Sequence, residues 1–473
     1  MQMNLAMLSE VFLKEWILNP TEGQRRAIDV FSQFLWEGRS KTAMILQGYA
    51  GTGKTTLLRT FSKWLPSVGF RVVFMAPTGR AAKVMLDSTG RRAYTAHRIL
   101  YRSTLTPEGH FSFGLRTNPL TRAVFFVDES SMVSDRPSDG SQGRSLLEDI
   151  LFFVHSGVDC RLVFLGDPAQ LPPVGEGKSP ALDADRLLKQ HGWESVSVQL
   201  TEVVRQEKTS WVLRNATRLR EALLAESIQF PGLSPKGEVH FLQDGYEVME
   251  ALEQSYSAGV DQTIVVTRSN KRAVLYNRQI RSRLLGAEEL LGAGDRVMVV
   301  KNNYHWLPSD HPAGFLANGD IFEVMALSNQ EDKYGLVFAD ARLRWTDRED
   351  DLLIEAKVLL TVLDSDSPAL RVEESQALYQ SLQAEYAHFP TQKERKEALR
   401  VDPYAQALQL KFAYAVTCHK AQGGQWETVF IEQAYEPEGL DNAAYLRWLY
   451  TALTRTTNKV YLVGFRPEDL LSE

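Results

Sequence analysis

Residues 48–56 read GYAGTGKTT, and this stretch decides which fold the chain can adopt. It follows an apolar run, TAMILQ at 42–47, and leads into TLLRTFSKWL at 56–65, where apolar residues recur at helical spacing. Glycines let the backbone wrap so that its N–H groups point inward, and the start of the helix adds positive potential. The arrangement predicts a phosphate-binding loop between a buried strand and a helix.

The loop predicts a site for ATP and Mg²⁺. Lys54 is expected to reach the β- and γ-phosphates, and Thr55 is expected to bind the metal. The nucleotide-binding residues expected from this stretch are Gly48, Ala50, Gly51, Thr52, Gly53, Lys54, Thr55 and Thr56. The alternative is a glycine-rich turn without a ligand, and the flanking strand and helix argue against it.

Two later strands also end in polar groups. The run AVFFVDES, 123–130, places adjacent carboxylates at the edge where parallel sheets bind ligands. Asp128 is expected to bind the metal, and Glu129 to orient the attacking water. In RLVFLGDPAQLPPVG, 161–175, two prolines stiffen the chain after Gln170, whose amide can then contact a γ-phosphate.

Composition sets broad limits on the class of protein. The chain has 473 residues, with 53 basic and 59 acidic side chains and a net charge of −6. This balance alone disfavours a nucleic-acid partner, although 205–220 and 268–284 are locally basic. Two cysteines in unrelated contexts indicate a reducing compartment, so we expect a cytoplasmic protein. Glu10, Lys14 and Glu15 interrupt the apolar residues of segment 3–18, which favours an amphipathic helix over a signal peptide.

The ordered set of motifs resembles superfamily 1 helicases, specifically the RecD-like and Dda-like branch that moves 5′ to 3′. The matching stretches are TEGQ, GYAGTGKTT, APTGRAAKVM, TAHRIL, VDESSM, GDPAQLPPV, LTEVVRQ, VTCHKAQG and YTALTR, which run from 21 to 455. The resemblance implies an α/β fold with two RecA-like P-loop domains, whose parallel sheets are flanked by helices. It also implies ATP between these domains and single-stranded DNA across their tops.

Two insertions complete the predicted architecture. Residues 100–118 alternate around Pro107-Glu108-Gly109, which predicts a small β-hairpin. Residues 318–363 read as strands with short turns, which fit an SH3-like β-barrel, and 374–399 read as two helices, the second capped by Thr391 and Glu394. We expect RecA-like domain 1A at 1–200 with hairpin 1B at 99–120, domain 2A at 201–317 and 409–473, and the barrel with a helical tower, 2B, at 318–408.

The resemblance assigns further residues around the nucleotide. Gln24 corresponds to a glutamine that contacts adenine, and Arg205 and Arg455 to arginines that approach the γ-phosphate from the second domain. In the loop VTCHKAQGGQ, 416–425, Gln422 and the Gly423 backbone are expected to approach ATP.

The resemblance also implies a DNA track along the strand tips of both domains. The residues expected on it are Pro77, Thr78, Gly79, Thr95, His97, Thr267, Arg268, Asn270, Thr417, His419 and Lys420, with Asn277 close by. Phe111 and Phe113 are expected on one face of the hairpin, which acts as a strand-separating pin in the family. Each of these has a plain alternative: a capped helix start, a glycine-rich turn or an ordinary surface hairpin.

Three functions follow from the motifs. The first is an ATP-driven DNA helicase, expected as a monomer without a membrane partner, acting on single-stranded DNA and its junction with duplex. The second is a DNA-stimulated ATPase that translocates or displaces proteins without strand separation. The third, a small-molecule kinase, leaves Arg205, Arg455 and the 416–425 loop unexplained. The motifs leave open the choice between DNA and RNA, the pathway and the protein partners.

Overall fold

A computed structural model of the chain describes residues 20–105, 111–137, 143–203, 210–307, 315–346, 352–433 and 442–471. The amphipathic helix predicted within 3–18, the turn Pro107–Gly109 and Arg205 lie outside these ranges. In the parts that are described, no helix is long and apolar enough to cross a bilayer.

The N-terminal part is built around a parallel sheet. Its strands and those of the hairpin are β1 (Thr42–Gly48), β2 (Arg71–Ala76), β3 (Ala93–Thr95), β4 (Tyr101–Leu105), β5 (Phe111–Leu115), β6 (Ala123–Val127), β7 (Arg161–Gly166) and β8 (Glu194–Leu200). Its helices are α1 (Glu22–Glu37), α2 (Lys54–Trp64), α3 (Gly79–Thr89), α4 (Ala96–Leu100), α5 (Leu146–Ser156) and α6 (Ala184–His191). The six-stranded sheet has the order β3-β2-β6-β7-β1-β8, and every neighbouring pair is parallel.

The apolar runs of the sequence explain this first sheet. Strands β6 and β7 are buried along their whole length, as expected for strands covered by helices on both faces. Parallel strands place their carboxyl ends at one edge, so the loops after β1, β6 and β7 meet there. The predicted hairpin is confirmed as an antiparallel pair of β4 and β5.

The second part contains another parallel sheet and the barrel. Its strands are β9 (Val239–Leu242), β10 (Thr263–Thr267), β11 (Arg296–Val299), β12 (Ile321–Lys333), β13 (Leu336–Trp345), β14 (Leu353–Leu359), β15 (Leu408–Phe412), β16 (Ala415–Thr417), β17 (Trp426–Glu432) and β18 (Thr456–Val463). Its helices are α7 (Trp211–Leu224), α8 (Gly245–Ala258), α9 (Asn270–Gln279), α10 (Val372–Glu385), α11 (Gln392–Val401), α12 (Cys418–Ala421) and α13 (Asn442–Leu453). The parallel sheet has the order β16-β10-β17-β18-β9.

Strands β11 to β15 form a closed barrel, which confirms the predicted fold class of two RecA-like domains with an inserted barrel. Its first strand, β11, precedes the predicted 318–408 segment, and most of β15 follows it. The reason is pairing, since β11 is held between β12 and β15 and closes the ring. Helices α10 and α11 lie between β14 and β15 in the chain, and the capping box at Thr391 and Glu394 is confirmed.

The two sheets share apolar packing at their interface. Tyr49, Ala169 and Leu171 of the first domain lie in the same buried cluster as Tyr450 and Leu453 of the second domain. Because the phosphate loop and the turn after β7 contribute to this cluster, their positions depend on where the second domain sits.

Candidate functional site

The glycines of the phosphate loop are required by its shape. Gly51 and Gly53 have φ angles of +76° and +85°, in the region that favours glycine. A Cβ at Gly48 would lie 2.8 Å from Thr52 Oγ1 and 2.9 Å from Lys54 Cγ. No side chain caps α2, so the first N–H groups of this helix are left for a ligand of the loop.

Lys54 is folded into the loop. Its Nζ donates to the backbone carbonyls of Gly48, at 2.5 Å, and Tyr49, at 3.1 Å. An ammonium held by two neutral carbonyls beside helix N–H groups is suited to an anionic phosphate. The loop therefore fits a nucleoside triphosphate, as the sequence predicts.

Two adjacent carboxylates, those of Asp128 and Glu129, follow β6. Burial raises the pKa of Asp128 to about 6, the charge of Glu129 adds to this rise, and Lys54 opposes it. Asp128 Oδ1 accepts a hydrogen bond from Glu129 N at 2.9 Å. The two negative charges of Asp128 and Glu129 exceed the single positive charge of Lys54. The pair therefore fits a divalent cation, and Thr55 at the start of α2 is the other predicted ligand.

Gln170 connects the first domain to the second. In the amide orientation that satisfies both partners, its Nε2 lies 3.3 Å from Glu129 Oε2 and its Oε1 lies 3.1 Å from Arg455 Nη2. Arg455 is 4% exposed, and its guanidinium also donates to Thr451 O at 3.0 Å and Gly424 O at 3.3 Å. The fold thus brings together three predicted catalytic residues, Glu129, Gln170 and Arg455, from distant parts of the sequence.

Gln24 is engaged inside the protein. Its Nε2 donates to Thr52 O at 3.1 Å, and its Oε1 accepts from Thr21 N at 3.0 Å. The side chain is 1% exposed. It therefore ties the start of α1 to the phosphate loop, and its contact with adenine stays a prediction.

Sequence reasoning missed several polar groups on α13. Tyr450 Oη donates to Asp167 Oδ2 at 2.6 Å and accepts from Ala50 N at 3.0 Å. Thr451 Oγ1 accepts from Leu171 N at 2.9 Å. The signal was present in YTALTR, 450–455, but the prediction used only its arginine.

The 416–425 loop contacts the first domain at two places. Gln422 Nε2 donates to Leu171 O at 2.9 Å, on the turn after β7. Gly423 has a φ of +73°, and a Cβ there would lie 2.8 Å from Ala81 Cβ and 3.2 Å from Thr78 Oγ1. These neighbours of Gly423 lie at the start of α3, on the predicted DNA track, and its approach to ATP stays a prediction.

Pro77, Thr78 and Gly79 form the turn from β2 into α3. Thr78 Oγ1 accepts from Ala81 N at 3.2 Å and so caps this helix. A Cβ at Gly79 would lie 2.5 Å from Asp320 Oδ1, so a barrel carboxylate is close to the helix start. Thr78 therefore has a structural role, whatever it binds in addition.

Thr95 and His97 lie at the start of α4. Thr95 Oγ1 caps the helix by accepting from Arg98 N at 3.3 Å. Burial lowers the pKa of His97 to about 4, so its imidazole is neutral near pH 7. A nucleic-acid contact of His97 would thus be a hydrogen bond rather than an ion pair.

The tip of β10 is mostly committed to internal bonds. Thr267 is buried, and its Oγ1 donates to Ser269 O at 3.1 Å. Ser269 in turn caps α9, where Asn270 is the first residue and Arg268 lies just before the cap. Thr267, Arg268 and Asn270 stay predicted DNA contacts.

Asn277 is bonded inside the protein. Its Oδ1 accepts from Tyr414 N at 3.1 Å and Ala415 N at 2.8 Å, while its Nδ2 donates to Ala415 O at 2.9 Å and Phe412 O at 3.3 Å. The amide ties α9 to the chain entering β16, so it is occupied by backbone groups and not directed to DNA.

Thr417 lies beside Thr267 in the paired strands β16 and β10. Its hydroxyl does not cap α12, in contrast to the caps formed by Thr78 and Thr95. Burial lowers the pKa of His419, and it lowers that of Lys420 to about 8. These three residues form a partly buried polar surface that can contact a phosphate backbone.

Three predicted site residues are not placed by the structure. Arg205 lies outside the described residues, and so do the side chains of Phe111 and Phe113 on β5.

Known proteins share these features of sequence and fold. Residues 20–244 match the family described as an AAA domain, and residues 412–463 match the UvrD-like helicase C-terminal domain. The ATP-dependent RecD2 DNA helicase of Deinococcus radiodurans is 26% identical over 429 residues, covering 89% of this chain and 47% of that protein. The ATP-dependent DNA helicase dda of Enterobacteria phage T4 is 31% identical over 164 residues, covering 34% of each chain.

The matches with this chain cover less than half the length of these curated relatives. The Pif1 helicase from Bacteroides, solved with ADP-AlF3 and single-stranded DNA, has a TM-score of 0.50 at 15% identity. That likeness covers 96% of this chain and 95% of the other, and at such low identity it concerns the fold alone.

Proposed function

We propose that this chain, which belongs to the superfamily 1 helicases of the RecD-like and Dda-like branch, is an ATP-driven enzyme that moves 5′ to 3′ on single-stranded DNA and opens duplex ahead of it. The observation that carries this proposal is the bridge from Glu129 through Gln170 to Arg455. A hydrolytic site assembled from both domains makes hydrolysis depend on their closure.

ATP binding and hydrolysis are assigned mainly to residues that follow strands of the first sheet. Lys54 and the N–H groups opening α2 bind and orient the phosphates, and Glu129 holds the attacking water. Thr55 and Asp128 would hold Mg²⁺, which supplies positive charge to the phosphates when bound. Arg455, with Arg205 as its predicted companion, offsets the charge that develops on the γ-phosphate.

Contacts with the DNA backbone are assigned to residues at the ends of strands in both domains. Thr78 at the start of α3 and Thr417 at the end of β16 belong to different domains, yet Gly423 packs directly against Thr78. A small change in domain separation would therefore alter both surfaces at once. We propose that the two tips grip and release the DNA backbone in turn as the domains open and close.

Strand separation is assigned to the hairpin of β4 and β5. Phe111 and Phe113 are proposed to stack on the terminal base pair or on the separated strand. Replacing both with alanine is expected to lower unwinding more than the DNA-stimulated ATPase. Equal losses of both activities would contradict a role as a pin.

Forked DNA substrates test the proposal. One fork carries only a 5′ tail, the other only a 3′ tail, and each reports strand separation by fluorescence in the presence of ATP and Mg²⁺. We expect opening of the fork with the 5′ tail and little opening of the other. Opening of the 3′-tailed fork alone would reverse the proposed direction.

A DNA-stimulated ATPase that opens neither fork would favour the second function, translocation without strand separation. Without any ATP hydrolysis, with or without single-stranded DNA, the proposal fails as a whole.

A further inference from the structure

Tyr450 occupies an unusual position between the two domains. It lies on α13 of the second domain, is 1% exposed, and sends its hydroxyl into the nucleotide site of the first domain. There the hydroxyl accepts from Ala50 N at 3.0 Å and donates to Asp167 Oδ2 at 2.6 Å. One oxygen atom therefore joins the phosphate loop to the turn after β7.

The direction of both hydrogen bonds is fixed by chemistry. A tyrosine hydroxyl has one proton to donate and lone pairs to accept, whereas a backbone N–H can only donate. Burial and the nearby Asp167 carboxylate raise the pKa of Tyr450 well above its usual value, so the phenol keeps its proton. Asp167 also accepts from Ala169 N at 2.9 Å, which holds the carboxylate in the turn.

The same helix holds the rest of this turn. Thr451 Oγ1 accepts from Leu171 N at 2.9 Å, and Arg447 donates to Pro168 O. Both partners flank Gln170, the residue that contacts Glu129 and Arg455. These bonds of Thr451 and Arg447 reach the turn, whereas the hydroxyl of Tyr450 bonds to the turn and to the phosphate loop.

We propose that Tyr450 is a positioning residue whose hydroxyl sets the phosphate loop and the Gln170 turn at a fixed distance when the second domain closes on the first. This inference rests on the proposed function. The hydroxyl takes no part in bond making or breaking. Its effect is geometric, because Lys54 on one side and Gln170 on the other must reach the same phosphate.

The variant Tyr450→Phe tests this role, because it removes a single oxygen and keeps the ring in the shared core. Ala50 N and Asp167 each lose a partner. We expect the kcat of the DNA-stimulated ATPase to fall about tenfold or more, as for loss of a hydrogen bond to a charged group. The DNA concentration for half-maximal stimulation is expected to stay unchanged, since the hydroxyl of Tyr450 bonds to Ala50 and Asp167, neither of which is a predicted DNA contact.

The matched control is Tyr445→Phe on the same helix. Tyr445 Oη donates to Gln433 Oε1 at 2.8 Å, a bond within the second domain. We expect this variant to keep the wild-type kcat. Equal losses in both variants would show a general weakening of α13, and an unchanged rate in Tyr450→Phe would show that the hydroxyl positions nothing; either result overturns the inference.

A second measurement separates this inference from the proposed function. Binding of a fluorescent ATP analogue without DNA reports the phosphate loop directly, and we expect Tyr450→Phe to bind it about threefold more weakly or worse. If the wild-type protein hydrolyses no ATP, the proposed function fails, but weaker binding confined to Tyr450→Phe still supports the positioning role. Unchanged binding of the analogue by Tyr450→Phe, like an unchanged rate, contradicts it.

Discussion

The phosphate loop, 48–56, and the 416–425 loop each lie at the end of a strand of a parallel sheet, and each contains at least one glycine in the left-handed region. They differ in where their polar groups go. In the first loop, Lys54 Nζ donates to the backbone carbonyls of Gly48 and Tyr49 in the same loop, and the N–H groups of α2 have no side-chain cap. In the second loop, Gln422 bonds to the other domain, and Gly423 packs against α3.

The difference shows how two similar-looking loops serve different ends. A loop whose lysine and uncapped helix N–H groups surround its own interior is prepared for a ligand, even though Ala50 N also donates to Tyr450 of the other domain. A loop whose polar groups bond to a neighbouring domain changes position when that domain moves. We therefore interpret the first loop as the site of ATP and the second as the connection between ATP and the DNA track.

The largest expected effect comes from removing the positive charge of Lys54 from the first loop. Lys54→Ala is expected to reduce ATP hydrolysis to the level without enzyme, because both phosphate binding and charge stabilisation are lost. Single-stranded DNA binding, measured by fluorescence anisotropy, is expected to persist. Lys63→Ala, in the last turn of the same helix, is the control and should hydrolyse ATP normally.

Breaking the bridge between the domains should separate hydrolysis from binding. Arg455→Ala is expected to lower kcat about 10³-fold, the scale for an arginine that stabilises phosphoryl transfer. Affinity for ATP should change little, because Lys54 and the loop N–H groups remain. A loss of ATP affinity as large as the loss of kcat would contradict the role given to Arg455.

A smaller effect is expected from pH at the second loop. Burial lowers the pKa of Lys420 to about 8, so this lysine is charged below pH 8 and neutral above it. Affinity for single-stranded DNA should then fall by about fivefold between pH 7 and pH 9, the change for one ion contact of about 1 kcal/mol. Lys420→Arg keeps its charge and should show a flatter profile.

Lys411→Arg is the matched control for that experiment. The pKa of Lys411 is also lowered to about 8, by burial and then by Lys420, but its ammonium donates to Ser365 O. This variant should keep the wild-type pH dependence. If Lys411→Arg flattens the profile and Lys420→Arg does not, the predicted DNA contact of Lys420 is wrong.

Local sequence patterns are sufficient to predict most of the fold and part of the candidate site. Buried strands followed by polar turns, with a helix after the first, place Lys54, Asp128 and Gln170 at one sheet edge, and this needs no long-range information. The barrel boundary was harder, because β11 is recognisable as a barrel strand only through its pairing with β12 and β15. Strand pairing over such distances leaves no trace in local periodicity.

The missed residues share one physical cause. A tyrosine within an apolar helix, such as Tyr450, reads as a core residue, since its hydroxyl partners lie hundreds of residues away. Asn277 is the opposite case. Its side chain is polar and close to the predicted DNA track, yet backbone carbonyl and N–H groups of the chain entering β16 occupy its amide.

The most direct test of the account compares ATP hydrolysis by wild type and Thr417→Ala with and without single-stranded DNA. Thr417 lies on the second loop, and its hydroxyl does not cap α12. Thr428→Ala, on β17 of the same sheet, is the control. We expect unchanged DNA-free hydrolysis in Thr417→Ala together with loss of most of its DNA stimulation, and full stimulation in this folded variant would contradict coupling through the second loop.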